Sequence, residues 1–516
     1  MRRLVSLSIV AAMAMPLAAC GTNATLTVTD LGADSVIGAK RAADLVVHVD
    51  VRGTKPGKAR AALDGRPITV ATDGHVVTVT ASHLADGKHR LVVRAGGTSI
   101  SRPFSVDTTP PTLHVDAPAT APSLRAQVTI TGTAIGASKV TAGARAVQVA
   151  AGRFSVTLPA PPAHLPVVAV DAAGNSTTDV VTVAVRHPQM RGVHLTGYGW
   201  NANVLRNPVL KLAREHKINT IELDIKEEDG FVNFDTGVAL AHQIHAIRVL
   251  YDPRKVIAQM HAMGVRVVGR IVCFRDPKLA AWAWKHGHHD WVVQSPTGGP
   301  YNSAKYGGAA FTNWANPQVQ AYNIALATEA AKLGFDDVMY DYVRRPDGPL
   351  RTMRFPGAKT TAPVGVANFV RDTSGPVRDN GAYLGLAVFG VSATRPKEVG
   401  QDIGAMAKYV DYVAPMVYPS HWGPGEYGVR NPNAQPYAIV NRSLKDFLKK
   451  VRGTNAQVMP WLQDFSLGVT YHVPQVEAQI LAAHRDGIDS FLLWDAGCTY
   501  QGGALTVDPA LPKTTD

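Results

Sequence analysis

The sequence predicts a multidomain chain: two all-β sandwiches followed by a parallel β/α barrel. Three observations carry that reading. Residues 24 to about 187 are rich in Ala, Val, Thr and Gly, and repeat short period-2 runs between turn signals. From Arg191 onward, apolar strand-like runs alternate with helical stretches. Eight such runs in about 310 residues match the strand count and size of a (β/α)8 TIM barrel.

At 516 residues the chain is too long for one ordinary domain. Its 46% hydrophobic and 18% charged content is that of a globular protein, not a disordered one. Arg2 and Arg3, followed by the apolar run Leu4 to Met15, read as a targeting segment over residues 1–19. Leu17-Ala18-Ala19-Cys20-Gly21 resembles the bacterial lipobox. That resemblance implies lipidation of Cys20, export, and anchoring at the bacterial cell membrane on its envelope face. Two or three acyl chains suffice for stable anchoring. No other apolar run reaches transmembrane length. The 52 basic and 40 acidic residues give a net charge of +12, which suits an anionic neighbourhood such as envelope polymers or lipid headgroups. No long Lys/Arg run and no nucleic-acid-binding motif appears, so nucleic acid is not expected as a partner. Beyond Cys20 only Cys273 and Cys498 remain, and both read as buried thiols acting as small hydrophobes.

The first sandwich is read over residues 24–107, from runs such as Leu45-Val46-Val47-His48-Val49 and Val76-Val77-Thr78-Val79-Thr80, with turns at Asp73-Gly74 and Asp86-Gly87. Thr108-Thr109-Pro110-Pro111 forms the hinge, because consecutive prolines exclude both helix and ladder pairing. The second sandwich, residues 110–187, restarts the pattern with Val128-Thr129-Ile130-Thr131-Gly132 and Phe154-Ser155-Val156-Thr157-Leu158. Its Asp171-Ala172-Ala173-Gly174-Asn175 resembles the turn near the last hairpin of bacterial Ig-like repeats, and Asp86-Gly87-Lys88-His89-Arg90-Leu91 resembles the equivalent strand of the first repeat. Such modules imply a spacer or wall-binding stalk.

The barrel is read over residues 191–505. Its predicted strands are 192–196, 220–226, 266–274, 337–343, 384–389, 412–418, 457–464 and 490–494. Helices are predicted at 208–216, 253–263, 317–333 and 473–485, among others. The strands are apolar until their last residues, which are polar or aromatic. Barrel enzymes keep their chemistry at that end. Alternation along the second strand sends Glu222, Asp224 and Lys226 to one face, the barrel interior. The third strand supplies Arg270, the fourth Asp341 and Arg344, the sixth Tyr418 with His421 and Trp422, the seventh Trp461, Gln463 and Asp464, and the eighth Trp494 and Asp495.

Aromatic rings stack on sugars, and carboxylates hydrogen-bond hydroxyls. Glycoside hydrolysis uses two carboxyl groups flanking the scissile bond. Asp341 is the expected nucleophile or base, held ionised by nearby Arg344. Asp464 is the expected acid, and the remaining strand-end residues are expected to bind substrate. Asp224 is expected to pair with Lys226 or Arg270. The fifth strand ends in the apolar Leu386-Ala387-Val388-Phe389-Gly390, unlike the α-amylase superfamily, whose acid is a fifth-strand glutamate. The His286, His288 and His289 cluster reads as a polar loop. No zinc-type spacing or glycine-rich phosphate loop occurs, so no metal or cofactor is expected.

Together, Arg191 to Thr196, Asn219 to Lys226, Gly269 to Phe274, Phe335 to Arg344, Pro415 to Trp422 and Pro460 to Phe465 resemble a bacterial family of putative glycoside hydrolases with a TIM barrel, catalogued as a domain of unknown function. The resemblance spans the whole barrel. It implies that Asp341 is catalytic and that the substrate is an envelope or extracellular polysaccharide. The alternative expectation is a non-catalytic, carbohydrate-binding or scaffolding lipoprotein. At the eighth strand, Trp494-Asp495-Ala496-Gly497 leads into Cys498-Thr499-Tyr500, where that family favours an asparagine-rich turn.

Overall fold

The computed structural model describes residues 24–303 and 305–505. The expected lipidation site, Cys20, lies outside them. The chain divides into two compact units. Among the described residues, one comprises 24–114, Gly132–Phe154 and Val167–Asp179; the other comprises Val115–Thr131, Ser155–Pro166 and the described part of 180–505.

The N-terminal region is β-rich. From Thr25 to Val185 the regular elements are strands, apart from the short helix Ala39–Ala43 and the 3-10 turn Pro56–Lys58. One sheet orders Thr25–Val28, Asp44–Arg52, Val76–Ser82 and Val70–Asp73. A second orders Ser35–Ile37, Thr98–Val106, Gly87–Ala95, Arg60–Leu63 and Arg66–Ile68. Alternation does the work predicted of it: Leu45, Val47, Val49 and Val51 are buried while Asp44, His48 and Arg52 are exposed. In the Asp171–Asn175 turn, the Asn175 backbone N–H donates to Asp171 Oδ1 at 2.9 Å, and Asn175 Nδ2 donates to Asp107 O at 2.7 Å.

The C-terminal unit is built on eight parallel strands, here β1 (Arg191–Leu195), β2 (Thr220–Lys226), β3 (Arg266–Val272), β4 (Asp337–Asp341), β5 (Tyr383–Phe389), β6 (Tyr412–Met416), β7 (Gln457–Val458 and Trp461–Gln463) and β8 (Phe491–Trp494). Each pairs with the next, and β8 pairs with β1, so the sheet closes into a barrel. Closure leaves no edge strand and buries both faces; β2 and β3 are buried at every residue. Val268, Met339, Ala387, Tyr412, Ala414 and Met459 fill the interior. Gly385 is needed there, because a Cβ would collide with the Tyr412 ring.

The strand positions follow the predicted ones with physically informative trims. Pro460 offers no N–H to the ladder, so β7 is split around it. β4 stops at Asp341 because Tyr342 takes a φ of 49°. Helices at Pro253–Ala262, Pro277–Lys285, Pro317–Leu333 and Pro436–Val451 begin on proline, whose missing N–H costs nothing in the first turn. The helix predicted from Pro208 instead spans Asn203–Arg214, since an interior proline removes one backbone bond without stopping it. Among the described residues no helix is long and apolar enough to cross a membrane. Cys273 and Cys498 are buried free thiols.

Candidate active site

At the C-terminal ends of the strands lies a cavity of about 760 Å³. Arg270, Asp341, Tyr418, His421, Trp422, Trp461 and Trp494, all picked out by the sequence, line it together. Glu228, Tyr306 and Tyr342 join them.

Arg270 organises the site. Period-2 alternation on β3 turns its buried side chain into the barrel, where it meets carboxylates from three neighbours. Its Nε and Nη2 donate to Asp341 Oδ2 at 3.1 and 2.6 Å. Its Nη1 donates to Asp224 Oδ1 at 2.7 Å, and its Nη2 donates to Glu228 Oε1 at 2.5 Å. Trp494 and Trp461, stacked at 4.8 Å, place their faces 5.4 and 5.8 Å from the guanidinium carbon. A cation over aromatic faces is favourable and keeps the guanidinium plane fixed.

Asp341 ends β4. Its Oδ1 accepts the backbone N–H of Tyr342 at 2.6 Å. A left-handed tyrosine costs about 1–2 kcal/mol, and here the conformation accompanies that bond. Tyr342 Oη accepts from Arg275 at 3.0 Å, and the Arg275 guanidinium also faces Tyr306 at 4.6 Å.

The carboxyl groups differ in protonation. Burial pushes Glu228 up, but the Arg270 charge overrides it and holds the group at about 2, an anion. Asp224 is raised to about 6, by burial first, against the pull of Arg270. Glu227 is raised to about 9 by burial, and then by the charge of Asp224 and a hydrogen bond to it. Glu222 is raised well above its ordinary value by burial, and neither of its oxygens has a hydrogen-bond partner. His194 is pushed down to about 3 by burial and by Arg270, so it is neutral; its Nε2 lies 3.1 Å from Asp224 Oδ2. His421 is lowered by burial and Lys305.

Several sequence expectations are corrected. Lys226 does not face the site. A register shift between Asp224 and Lys226 breaks the alternation of β2, and Lys226 Nζ bonds Asp276 at 2.8 Å and Asn323 at 2.9 Å. Asp224 therefore pairs with Arg270 and not with Lys226. Arg344 is not the cation beside Asp341; it bonds Asp347 at 2.7 Å and packs over Phe389, and it does not line the cavity. Asp464, Asp495 and Gln463 also lie off the cavity lining. Asp464 accepts the Gln501 N–H at 2.8 Å and is pushed up to about 7, first by burial and then by Asp495. Asp495 accepts the Gly497 N–H at 2.7 Å. Gln463 Oε1 accepts the Ser420 N–H at 3.0 Å and its Nε2 donates to Phe465 O at 2.9 Å, which ties β7 to the turn carrying His421.

Glu228 escapes a reading confined to strand residues, because it sits in the turn Glu227-Glu228-Asp229-Gly230, two residues past β2. The rule that strand-end loops carry the chemistry would have reached it. Two groups of three could in principle ligate a cation: His194 with Glu222 and Asp224, and Asp224 with Glu227 and Glu228. Arg270 already contacts Glu222, Asp224 and Glu228 and so competes with a cation for the same oxygens.

A closed parallel barrel with carboxylates and stacked aromatic rings at its strand ends defines the class of (β/α)8-type barrels that carry a candidate site at the C-terminal face. Within that class, the chain belongs to the family described as "Putative glycosyl hydrolase domain", whose sequence pattern matches residues 192–500. No curated protein matches the chain. Among similar solved structures, a hypothetical protein from Ruminiclostridium thermocellum is 27% identical, with a TM-score of 0.33 over 38% of this chain and 96% of its own. The glycoside hydrolase domain of PgaB (BpsB) from Bordetella bronchiseptica is 15% identical, with a TM-score of 0.46 over 60% of this chain and 95% of its own. A chitinase from Chromobacterium violaceum is 12% identical, with a TM-score of 0.37 over 62% and 98%.

Proposed function

We propose that the barrel hydrolyses glycosidic bonds of an envelope or extracellular polysaccharide, with Asp341 and Glu228 as the two reacting carboxyls. One observation carries this reading. Both carboxylates accept from the same Arg270 nitrogen, at 2.6 and 2.5 Å, beside a cavity walled with aromatic rings. A shared nitrogen keeps those two oxygens within about 5 Å, the spacing of a retaining enzyme.

The roles follow from how firmly each is held. Asp341 takes two bonds from Arg270 and one backbone N–H, and its side chain is 5% exposed. It is the nucleophile: it attacks the anomeric carbon as the glycosidic bond breaks. Glu228 takes a single Arg270 bond and is 28% exposed. An arriving sugar that displaces it removes the charge that keeps it ionised, and it then takes up a proton from solvent. In that form it protonates the departing oxygen, and as the carboxylate it later deprotonates the water that cleaves the glycosyl–Asp341 ester. Catalytic contacts often tighten only when substrate is bound. In this reading Cys20 carries a lipid anchor and the N-terminal β-rich region is an Ig-like spacer.

The test is release of reducing ends from a panel of envelope and extracellular polysaccharides. Wild type should cut at least one of them. Asp341→Asn should abolish cutting and leave the thermal melt unchanged, and full turnover by that variant would overturn the reading. Glu228→Ala should lose about 10²–10⁴-fold and recover with azide as an external nucleophile on a substrate with a good leaving group.

A further inference from the structure

The loops that follow β3, β4 and β5 bring positive charge to the cavity that no carboxylate offsets. The carboxylates in the lining already have partners. Glu228 and Asp341 share Arg270, Asp347 is bound by Arg344 at 2.7 Å, and the exposed Glu398 stands 4.0 Å from Arg395. Three lining cations remain: Lys305 after β3, Arg345 after β4 and Lys397 after β5. Among the described residues, none of the three makes an ion pair.

Arg345 is the fixed member. It is buried, at 3% exposure. Its backbone N–H donates to Val399 O at 3.1 Å, its Nη1 to Pro346 O at 2.7 Å and Gly348 O at 2.9 Å, and its Nη2 to Lys397 O at 3.1 Å. These bonds staple the loop after β4 to the loop after β5. Every oxygen among these acceptors is a neutral carbonyl, which satisfies an N–H group without cancelling the charge, and Nε has no partner at all. Burial disfavours the Arg345 charge, and Asp347 and Glu398 support it only from beyond ion-pair distance. A buried charge without a counter-charge is costly. Lys305 and Lys397 are exposed and add to the same field. The Lys305 ammonium lies 5.1 Å from the Tyr306 ring, and His421, lowered first by burial, is lowered further by its charge. Tyr306 and His421 both line the cavity.

We propose that Arg345, Lys305 and Lys397 form an anion subsite, and that the substrate is an acidic polysaccharide bearing a carboxylate, phosphate or sulfate on a sugar held in this cavity. That the ligand is a substrate rests on the glycosidase reading; that it is an anion rests on the lining charges. An anionic substituent supplies the counter-charge that Arg345 lacks. A neutral sugar does not, and a sugar with a free ammonium group is repelled.

Calorimetric titration of the full-length protein with matched cello-oligosaccharides tests this. The set is the neutral parent and its C6-oxidised (uronate), phosphorylated, sulfated and amino-substituted forms. At least one anionic form should bind about tenfold tighter than the parent, the effect of a few partly exposed charge pairs, and the amino form should bind most weakly. The ranking of the three anionic forms identifies which group the subsite takes. The preference should shrink as salt rises above about 0.1 M, where screening acts over about 10 Å. Lys305→Ala combined with Lys397→Ala should remove most of the preference with an unchanged thermal melt, because both side chains are exposed. Equal affinity for neutral and anionic forms, no binding of any form, or a full preference kept by the double variant overturns the subsite. If the anion preference is present and lysine-dependent but no polysaccharide is cut, the subsite stands and the glycosidase reading falls. If a neutral polymer is cut and no anion is preferred, the glycosidase reading stands and the subsite falls.

Discussion

Strands β3 and β4 carry the same ion pair twice. Arg266 and Asp337 open them, and Arg270 and Asp341 follow four residues later on each strand. At the lower end Asp337 accepts from Arg266 at 2.6 Å and lies 2.5 Å from His187 Nε2, with Asp337 and His187 fully buried. Burial raises Asp337, but His187 and Arg266 outweigh it and hold the carboxyl at about 2. That end is closed to solvent at both His187 and Asp337. At the upper end one arginine serves Asp224, Glu228 and Asp341 beside open space. The same residue types thus act as a structural plug where charges balance. Where carboxylates outnumber the cation and a cavity adjoins, they can exchange partners, which is what chemistry requires.

The most severe way to break this contrast is to exchange the two aspartates' fates. Asp341→Asn should cost on the order of 10⁴-fold in turnover with little change in stability. Asp337→Asn should leave folded protein active but destabilise it by about 3–5 kcal/mol, because Arg266 loses its near carboxylate and keeps only the more distant Asp336, 3.9 Å away. Urea denaturation beside activity per folded molecule separates the two. If Asp337→Asn is as stable as wild type, the lower pair is not the plug described.

Acid sharpens the same point. The Asp337 carboxyl lies lower in the folded chain than its unfolded value of about 3.9, so its stabilisation is present above that pH and lost as pH falls towards 2. Wild type should lose stability across that window in thermal melts, and Asp337→Asn should show a flatter acid limb.

Lys226 tests a third position, behind the barrel wall. Lys226→Met leaves Asp276 buried without its cation and should cost about 3–5 kcal/mol, with KM unchanged. A raised KM would return Lys226 to the substrate site. The smallest effect on binding is expected at Trp422, which lines the cavity and is otherwise buried in the barrel core. Trp422→Ala should weaken sugar binding by about 0.5–1.5 kcal/mol, read as a rise in KM with kcat nearly constant.

Much of the scaffold was legible. Thr220–Lys226 and Pro317–Leu333 occupy the predicted residues, because apolar–polar alternation, and a helix framed by an N-terminal proline and Gly334, are local signals. The strand-end logic also brought Arg270, Asp341, Tyr418, His421, Trp422, Trp461 and Trp494 to one cavity. It failed at Lys226, where a one-residue shift in pairing reversed the face of the side chain. It failed again at Arg344, where closeness in sequence was taken for closeness in space.

The sequence by itself determined the barrel's strands and the placing of Asp341 at the end of one of them, since alternation, proline and glycine act over a few residues. Only the tertiary structure decided which cation Asp341 meets and that Glu228 stands beside it on the same arginine. Those facts depend on which strands are neighbours and in what register, and a charge pair forms through space regardless of the distance along the chain.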